Sequence, residues 1–312
     1  MRGLHLLNWN LRDISSNLDD IKNQGFDFIQ ITPVQPFKNG DSLKWYEPYQ
    51  PLGFSIGNIY GSKEDLINLC REASSREIDI VADVVCNHMA PGDNGIGISD
   101  KVDPSLRNNP NYWKPYRNVT NWENRWEVTH LCLDGLPGLN LSNYELQDRL
   151  IGFLDELIDC GVRGFRFDAA KSIALPEEAS KYGWNEHSCH FFPRVLNGLK
   201  MSKDDLIIYG EIIFERDQSV IESYQQHLMV LTDSFTHNPD LTVMMSESHD
   251  SFLGMGYTKD KSSIDVAYDY QSRCKNYPHS LFYARPYDYT WKSDIVRNGN
   301  LSNVKRIKKW YN

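Results

Sequence analysis

YELQDRLIGFLDELIDCGVRGFRFDAAKS, residues 144–172, carries two periodicities back to back. From Tyr144 to Cys160 the apolar positions Leu146, Leu150, Phe153, Leu154, Leu157 and Ile158 recur at helical spacing, one face of an amphipathic helix. Past Gly161 the pattern changes to a short apolar run around Val162, Phe165 and Phe167, which reads as a buried strand. That strand also holds Arg166, ends in Asp168 and is followed by Lys171. Charged side chains are rarely buried without partners. A strand of this kind fits a fold in which strand ends converge.

The alternation extends in both directions. LHLLNW (4–9), DFIQIT (27–32), IDIVADVV (78–85), LIIYGEII (206–213), HLMVLT (227–232), LTVMMSE (241–247) and SLFYA (280–284) read as strands. Helical segments lie around Leu18 and Ile21 (stopping at Gly25), from Ser62 through Ala73, and near 217–227, 263–274 and 302–311. Ser62 and Asp65 form a near-capping box. Strands alternating with helices imply a parallel sheet with right-handed crossovers, and eight such units predict a closed α/β architecture, the (β/α)8 TIM barrel. An open doubly wound sheet is the alternative, but no GxGxxG follows the first strand. Residues 1–88 and 131–312 are assigned to the barrel. Residues 89–130, rich in Asn, Gly, Pro and Trp, read as a small irregular subdomain inserted after the third strand. SFTHNPD (234–240) leaves almost no room for a sixth helix, and no C-terminal β-sandwich is expected.

Composition narrows the function. The 312 residues are 40% apolar and 24% charged, which fits a soluble globular protein. A net charge of −9 gives nucleic acid little to bind. The basic run Lys305, Arg306, Lys308 and Lys309 reads as the solvated face of a last helix. Six scattered cysteines, Cys70, Cys86, Cys132, Cys160, Cys189 and Cys274, have no CxxC or zinc-ligand spacing and read as buried thiols. With no charged leader and no membrane-length apolar stretch, a cytoplasmic protein is expected, or a secreted one if the chain is a processed form.

Four strand ends deliver chemistry: Asn87-His88, Asp168, Glu211 and Ser248-His249-Asp250. In a barrel these ends converge on one face, where active sites sit. A single strand-end acid often only caps the next helix, but three acids and two histidines on four strands point to a site. Carboxylates around one pocket fit glycoside chemistry, in which one acts as nucleophile and another as general acid and then base. Arg166 lies two residues before Asp168, on the same side of the strand, and favours its ionised form. Glu211, flanked by an apolar strand and Ile212-Ile213, suits the protonated role.

DVVCNH (83–88), GFRFDAAKS (164–172), YGEII (209–213) and SESHD (246–250), in this order, resemble the four short regions of the α-amylase family of retaining α-glucan enzymes. LPGLN (136–140) resembles its fifth region, and WYEPYQPLGFSIGNIYGSKEDL (45–66) its aromatic loop. The resemblance implies Asp168 as nucleophile, Glu211 as general acid/base and Asp250 as the third acid. It also implies His88 and His249 on sugar hydroxyls and Arg166 steadying the nucleophile. Tyr49 and neighbouring Gln50 would lie under the sugar at the cleavage point, Trp45 and Tyr46 under adjacent units, and Lys171 on the leaving-group side.

The same resemblance brings a structural calcium into question. Asn87 matches one ligand, but Gly138 stands where an aspartate is common and Ser172 where a histidine is common. Calcium favours six to eight oxygens, usually with carboxylates, so no metal ligand is assigned and none is required, with a structural calcium left as an open alternative if Asp134 or a carbonyl compensates. Ser248 replaces an asparagine that chloride-activated relatives use, so no chloride is expected. The implied activity is hydrolysis of α-1,4 bonds in starch, glycogen or maltooligosaccharides. Alternatives are transglycosylation at the same site, or an amylase-like carbohydrate-binding protein with little activity. A second copy of the chain could cover edges left by the missing parts.

Overall fold

The computed structural model describes residues 1–39, 44–183 and 189–285. The helix expected near 302–311 and its basic run lie outside the described residues.

Eight parallel strands, β1 (Arg2–Leu6), β2 (Phe28–Ile31), β3 (Asp79–Val84), β4 (Gly164–Phe167), β5 (Ile207–Glu211), β6 (Met229–Thr232), β7 (Thr242–Met244) and β8 (His279–Tyr283), close into a barrel in sequence order. The expected (β/α)8 fold is therefore the observed one, with the long insertion after β3. Around it run α1 (Leu11–Ser16), α2 (Leu18–Asn23), α3 (Lys63–Ser74), α4 (Pro104–Arg107), α5 (Arg125–His130), α6 (Tyr144–Asp159), α7 (Pro176–Tyr182), α8 (Phe191–Gly198), α9 (Gln218–Gln225) and α10 (Ser263–Cys274). Ser62 and Asp65 form a full capping box at the start of α3. All six cysteines are buried and free. Among the described residues, no helix is long and apolar enough to cross a membrane.

Strand alternation places the site. Along β3, Ile80, Ala82 and Val84 join the core beneath the helices, whereas Val81 points into the barrel. Asp83, two residues further along, takes the same inward side. On β4, Phe165 and Phe167 pack outward, so Gly164 and Arg166 face in. On β5 the inward residues are Ile207, Tyr209 and Glu211. The barrel therefore has an apolar floor, built from residues such as Phe28, Val81, Ile207 and Val243. A charged layer lies above it, nearer the C-terminal ends.

Several strands are shorter than the apolar runs imply. β1 stops at Leu6, and Asn8 adopts a left-handed φ of 59° that extended backbone does not allow. β7 stops at Met244, because Glu247 leaves the sheet to pair with Arg285 from the exit of β8. Between β6 and β7 the chain makes only a 3-10 turn, Pro239–Leu241, in place of a sixth helix. Gln225 of α9 covers this connection, its amide donating to the Asn238 and Leu241 carbonyls at 3.1 and 3.2 Å.

Two glycines test this packing. A Cβ on Gly164 would run into the Ile207 carbonyl of β5 and lie 2.9 Å from Val81 Cγ2. Gly164→Ala should cost about 1–3 kcal/mol in urea unfolding. Gly152, exposed within α6, has open space around the same position. Gly152→Ala should gain about 0.5–1 kcal/mol. Equal effects at the two sites would contradict the close approach of β4 and β5.

Candidate active site

Arg166 organises the charged layer. It is 1% exposed and is opposite Asp83 in the β3–β4 register. Its Nη1 donates to Asp83 Oδ1 at 2.8 Å and to Asp168 Oδ1 at 2.6 Å, and its Nη2 donates to Glu211 Oε1. Asp168 and Glu211, 6% and 7% exposed, thus share one guanidinium. The backbone then turns sharply. Ala169 takes a left-handed φ of 45°, costly for a residue with a Cβ, and its N–H donates to Glu211 Oε2 at 3.0 Å. The strained residue after Asp168 therefore also fixes Glu211.

Three carboxylates around one cation cannot all ionise cheaply. Burial pushes the Glu211 carboxyl well above the usual range; Arg166 opposes the shift, while Asp250 and Asp168 add to it. Burial also raises Asp83, again against Arg166. Asp83 has further donors, Tyr49 Oη at 3.0 Å and Gln30 Nε2 at 3.3 Å, which stabilise a carboxylate. Glu211 is therefore the acid best suited to hold a proton.

The other expected residues gather nearby. Asp250, half-buried, opens a short π-helical turn, Asp250–Gly254, and its Oδ2 lies 3.4 Å from His249 Nε2. Tyr49 is stacked on the His249 ring, with centroids 4.9 Å apart and planes 7° apart. Trp45 meets His249 edge-on at 5.7 Å, with Tyr46 against Trp45. Gln50 is half-buried beside Tyr49. His88 is buried, and its Nε2 lies 2.9 Å from the Tyr49 carbonyl, so it braces the aromatic loop. Burial lowers the pKa of His88 and of His249, leaving both neutral near pH 7. Lys171 pairs with Glu215 at 3.0 Å.

Sequence reading passed over several participants. Asp83 sat inside an apolar run, where an acid signals a buried partner. Gln30 links Asp83 to Tyr209, whose hydroxyl donates to Gln30 Oε1 at 2.9 Å. His5 shares a small internal cavity with Arg166 and His249, and the buried atoms His5 Nε2, Arg166 Nε and His249 Nδ1 lack hydrogen-bond partners there. Glu247 and Arg285 form a buried bidentate pair, at 2.6 and 2.7 Å. Arg285 also donates to the Lys261 and Thr258 carbonyls, holding the loop that follows Asp250.

The calcium set does not fit a divalent ion. Gly138 offers no carboxylate, and the Lys114 ammonium donates to Asn87 Oδ1 at 2.9 Å and to the Ser172 carbonyl at 3.1 Å. Among the described residues, no group of three His, Cys, Asp or Glu side chains could hold a metal.

Eight parallel strands closed in sequence order, with Asp168 and Glu211 at the C-terminal ends of β4 and β5, define a (β/α)8 barrel with an acid cluster at its mouth. A family model described as "Alpha amylase, catalytic domain" matches residues 9–238. An α-amylase of Clostridium acetobutylicum is 36% identical over 237 residues, covering 74% of this chain and 30% of that protein. An α-amylase-related protein of Drosophila dossoui is 30% identical over 227 residues, covering 69% of this chain and 46% of that one. The solved wild-type α-amylase I from Eisenia fetida shares the fold with a TM-score of 0.73 at 18% identity, covering 95% of this chain and 69% of that one. The chain belongs to the α-amylase catalytic-domain family, and its matches span less than half the length of the two sequence relatives.

The Glu247–Arg285 pair gives a direct test. Glu247→Gln strands the buried Arg285 charge and should cost about 3–5 kcal/mol in urea unfolding. The double variant E247L/R285M removes both charges but also the donors to the Lys261 and Thr258 carbonyls, so it should cost less than the E247L and R285M single variants added together. A double variant that costs as much as the two single variants added together would mean that the pair contributes little.

Proposed function

We propose that this chain hydrolyses α-1,4-glucosidic bonds in starch, glycogen or maltooligosaccharides with retention of configuration. The observation that carries the reading is the single Arg166 guanidinium shared by Asp168 and Glu211 at the barrel mouth. An Asp168 carboxylate attacks the anomeric carbon while Glu211 gives its proton to the glycosidic oxygen, and the carbon–oxygen bond breaks. A glucosyl ester on Asp168 remains. Glu211, now a carboxylate, takes a proton from water; the water oxygen bonds to the anomeric carbon and Asp168 departs. Arg166 keeps negative charge on Asp168 favourable in both steps.

The sugar is placed by the surrounding groups. Asp250 and His249 Nε2, close together at the mouth, take hydroxyls of the ring being cleaved. Tyr49 and Gln50 line the same subsite, and His88 holds Tyr49 in place and completes the hydroxyl contacts. Trp45 and Tyr46 offer aromatic faces to neighbouring glucose units. Lys171 lies on the leaving-group side.

Asp168→Asn should abolish release of reducing sugar from maltoheptaose, and Glu211→Gln should lower kcat at least 100-fold, in line with the weight of general acid–base catalysis. α-Maltosyl fluoride needs no protonated leaving group, so E211Q should turn it over far better than maltoheptaose. Proton NMR should find the α-anomer first. Full activity in D168N, or a β-anomer first, would overturn the reading.

The pH profile follows from Glu211. Its carboxyl must be protonated in the first step, and burial holds its pKa above the ordinary range. Activity on maltoheptaose should therefore persist above the usual carboxylate pKa and fall only as rising pH deprotonates Glu211. That alkaline fall should be missing from the profile of E211Q on α-maltosyl fluoride.

A further inference from the structure

Outside the catalytic cluster, the turn after Asp168 is held by an unusual set of donors. Its three successive carbonyls each accept a hydrogen bond. Lys171 O accepts from Arg125 Nη1 at 2.8 Å, Ser172 O from Lys114 Nζ at 3.1 Å and Ile173 O from Tyr224 Oη at 2.7 Å. Lys114 belongs to the insertion, and it reaches a second exit loop as well, donating to Asn87 Oδ1 at 2.9 Å. Asn87 is 1% exposed and precedes His88, whose Nδ1 lies 3.5 Å from Asn87 Nδ2.

The surroundings are shaped for this lysine. A Cβ on Gly138 would lie 2.8 Å from Lys114 Cδ, so any larger residue would crowd the lysine stem. The Lys114 N–H donates to the Gly138 carbonyl at 2.8 Å, and Leu139 N–H to the Asn87 carbonyl at 2.8 Å. The two side-chain acceptors of Lys114 are neutral oxygens from loops far apart in sequence. A divalent cation seeks six to eight oxygens with carboxylates among them, whereas an ammonium has three donors to place.

We propose that the Lys114 ammonium serves as a built-in structural cation: it replaces a bound divalent ion, pins the insertion to the exits of β3 and β4, and positions His88 and the turn after Asp168. Lys114 acts through those groups and is a positioning residue. Its effect on turnover rests on the function proposed above, but its effect on folding does not.

The test therefore starts with stability. The Tm of the wild-type protein should be unchanged by excess EDTA and by millimolar calcium chloride. Lys114→Met keeps the length but loses the cation, and its Tm should fall by about 5–10 °C. In K114A, propylammonium ions should restore both Tm and kcat, whereas sodium chloride at equal concentration should not. The double variant K114A/G138D, with the lysine removed and a carboxylate added, should acquire a calcium-dependent rise in Tm. A wild-type Tm that EDTA lowers and calcium restores would overturn the proposal, as would a K114M protein with unchanged Tm. Loss of hydrolysis by the wild type would strike the functional reading alone, because the thermal measurements need no substrate.

Discussion

The buried Arg166 guanidinium is the constraint on which the rest of the site depends. It sits one step above the apolar floor of the barrel, where an unpaired cation would be very costly. Its partners come from β3, from its own strand and from β5, so three staves are registered by one planar group. Because the carboxylates outnumber the cation, the cluster favours retaining a proton. Gln30, Tyr49 and Tyr209 supply neutral donors on the Asp83 side, which moves that proton toward Glu211. Asp83 and Glu211 are thus differentiated by unequal hydrogen bonding around a shared cation.

Much of this was legible in the sequence because strand alternation and strand ends are local properties. Arg166, Asp168 and Glu211 announced themselves as charges at the ends of apolar runs, and the alternation of elements gave the barrel. Asp83 was hidden, since its run is apolar on both sides and the partner that explains it lies 83 positions away. Glu247 and Arg285 were hidden for the same reason: each reads as an ordinary charged residue until two strand exits meet. Strand lengths were overestimated where tertiary pairing pulls the chain out of the sheet, as Glu247 does after β7. The insertion carries no periodicity, so Lys114 could not be placed from its pattern.

The loops at the mouth share one design. Three ties between them are made by long cationic side chains. Arg125 joins Glu178 to the Lys171 carbonyl, Arg285 joins Glu247 to two carbonyls of the following loop, and Lys114 joins the exits of β3 and β4. Loops normally sit at the low end of local stability, because few buried contacts hold them. Cations in the interior reverse that: each satisfies two or more acceptors at once, and losing one would strand those acceptors, with the paired acid among them at Arg125 and Arg285.

This arrangement relates the abbreviated frame to the fixed geometry of the acid cluster. With a single turn in place of a sixth helix, the β6–β7 connection contributes little packing of its own, and its carbonyls rely on Gln225. The residues beside Asp250 are instead held from the opposite side, by Arg285 stacked 4.3 Å over the Phe252 ring. A side chain that must keep a fixed orientation gains little from a long supporting helix if its own turn can pivot. It gains more from a charge-assisted contact within a few residues. The barrel can therefore lose peripheral structure while its acid-bearing strand ends remain fixed, because the geometry at the mouth is set by side-chain cations reaching across the loops.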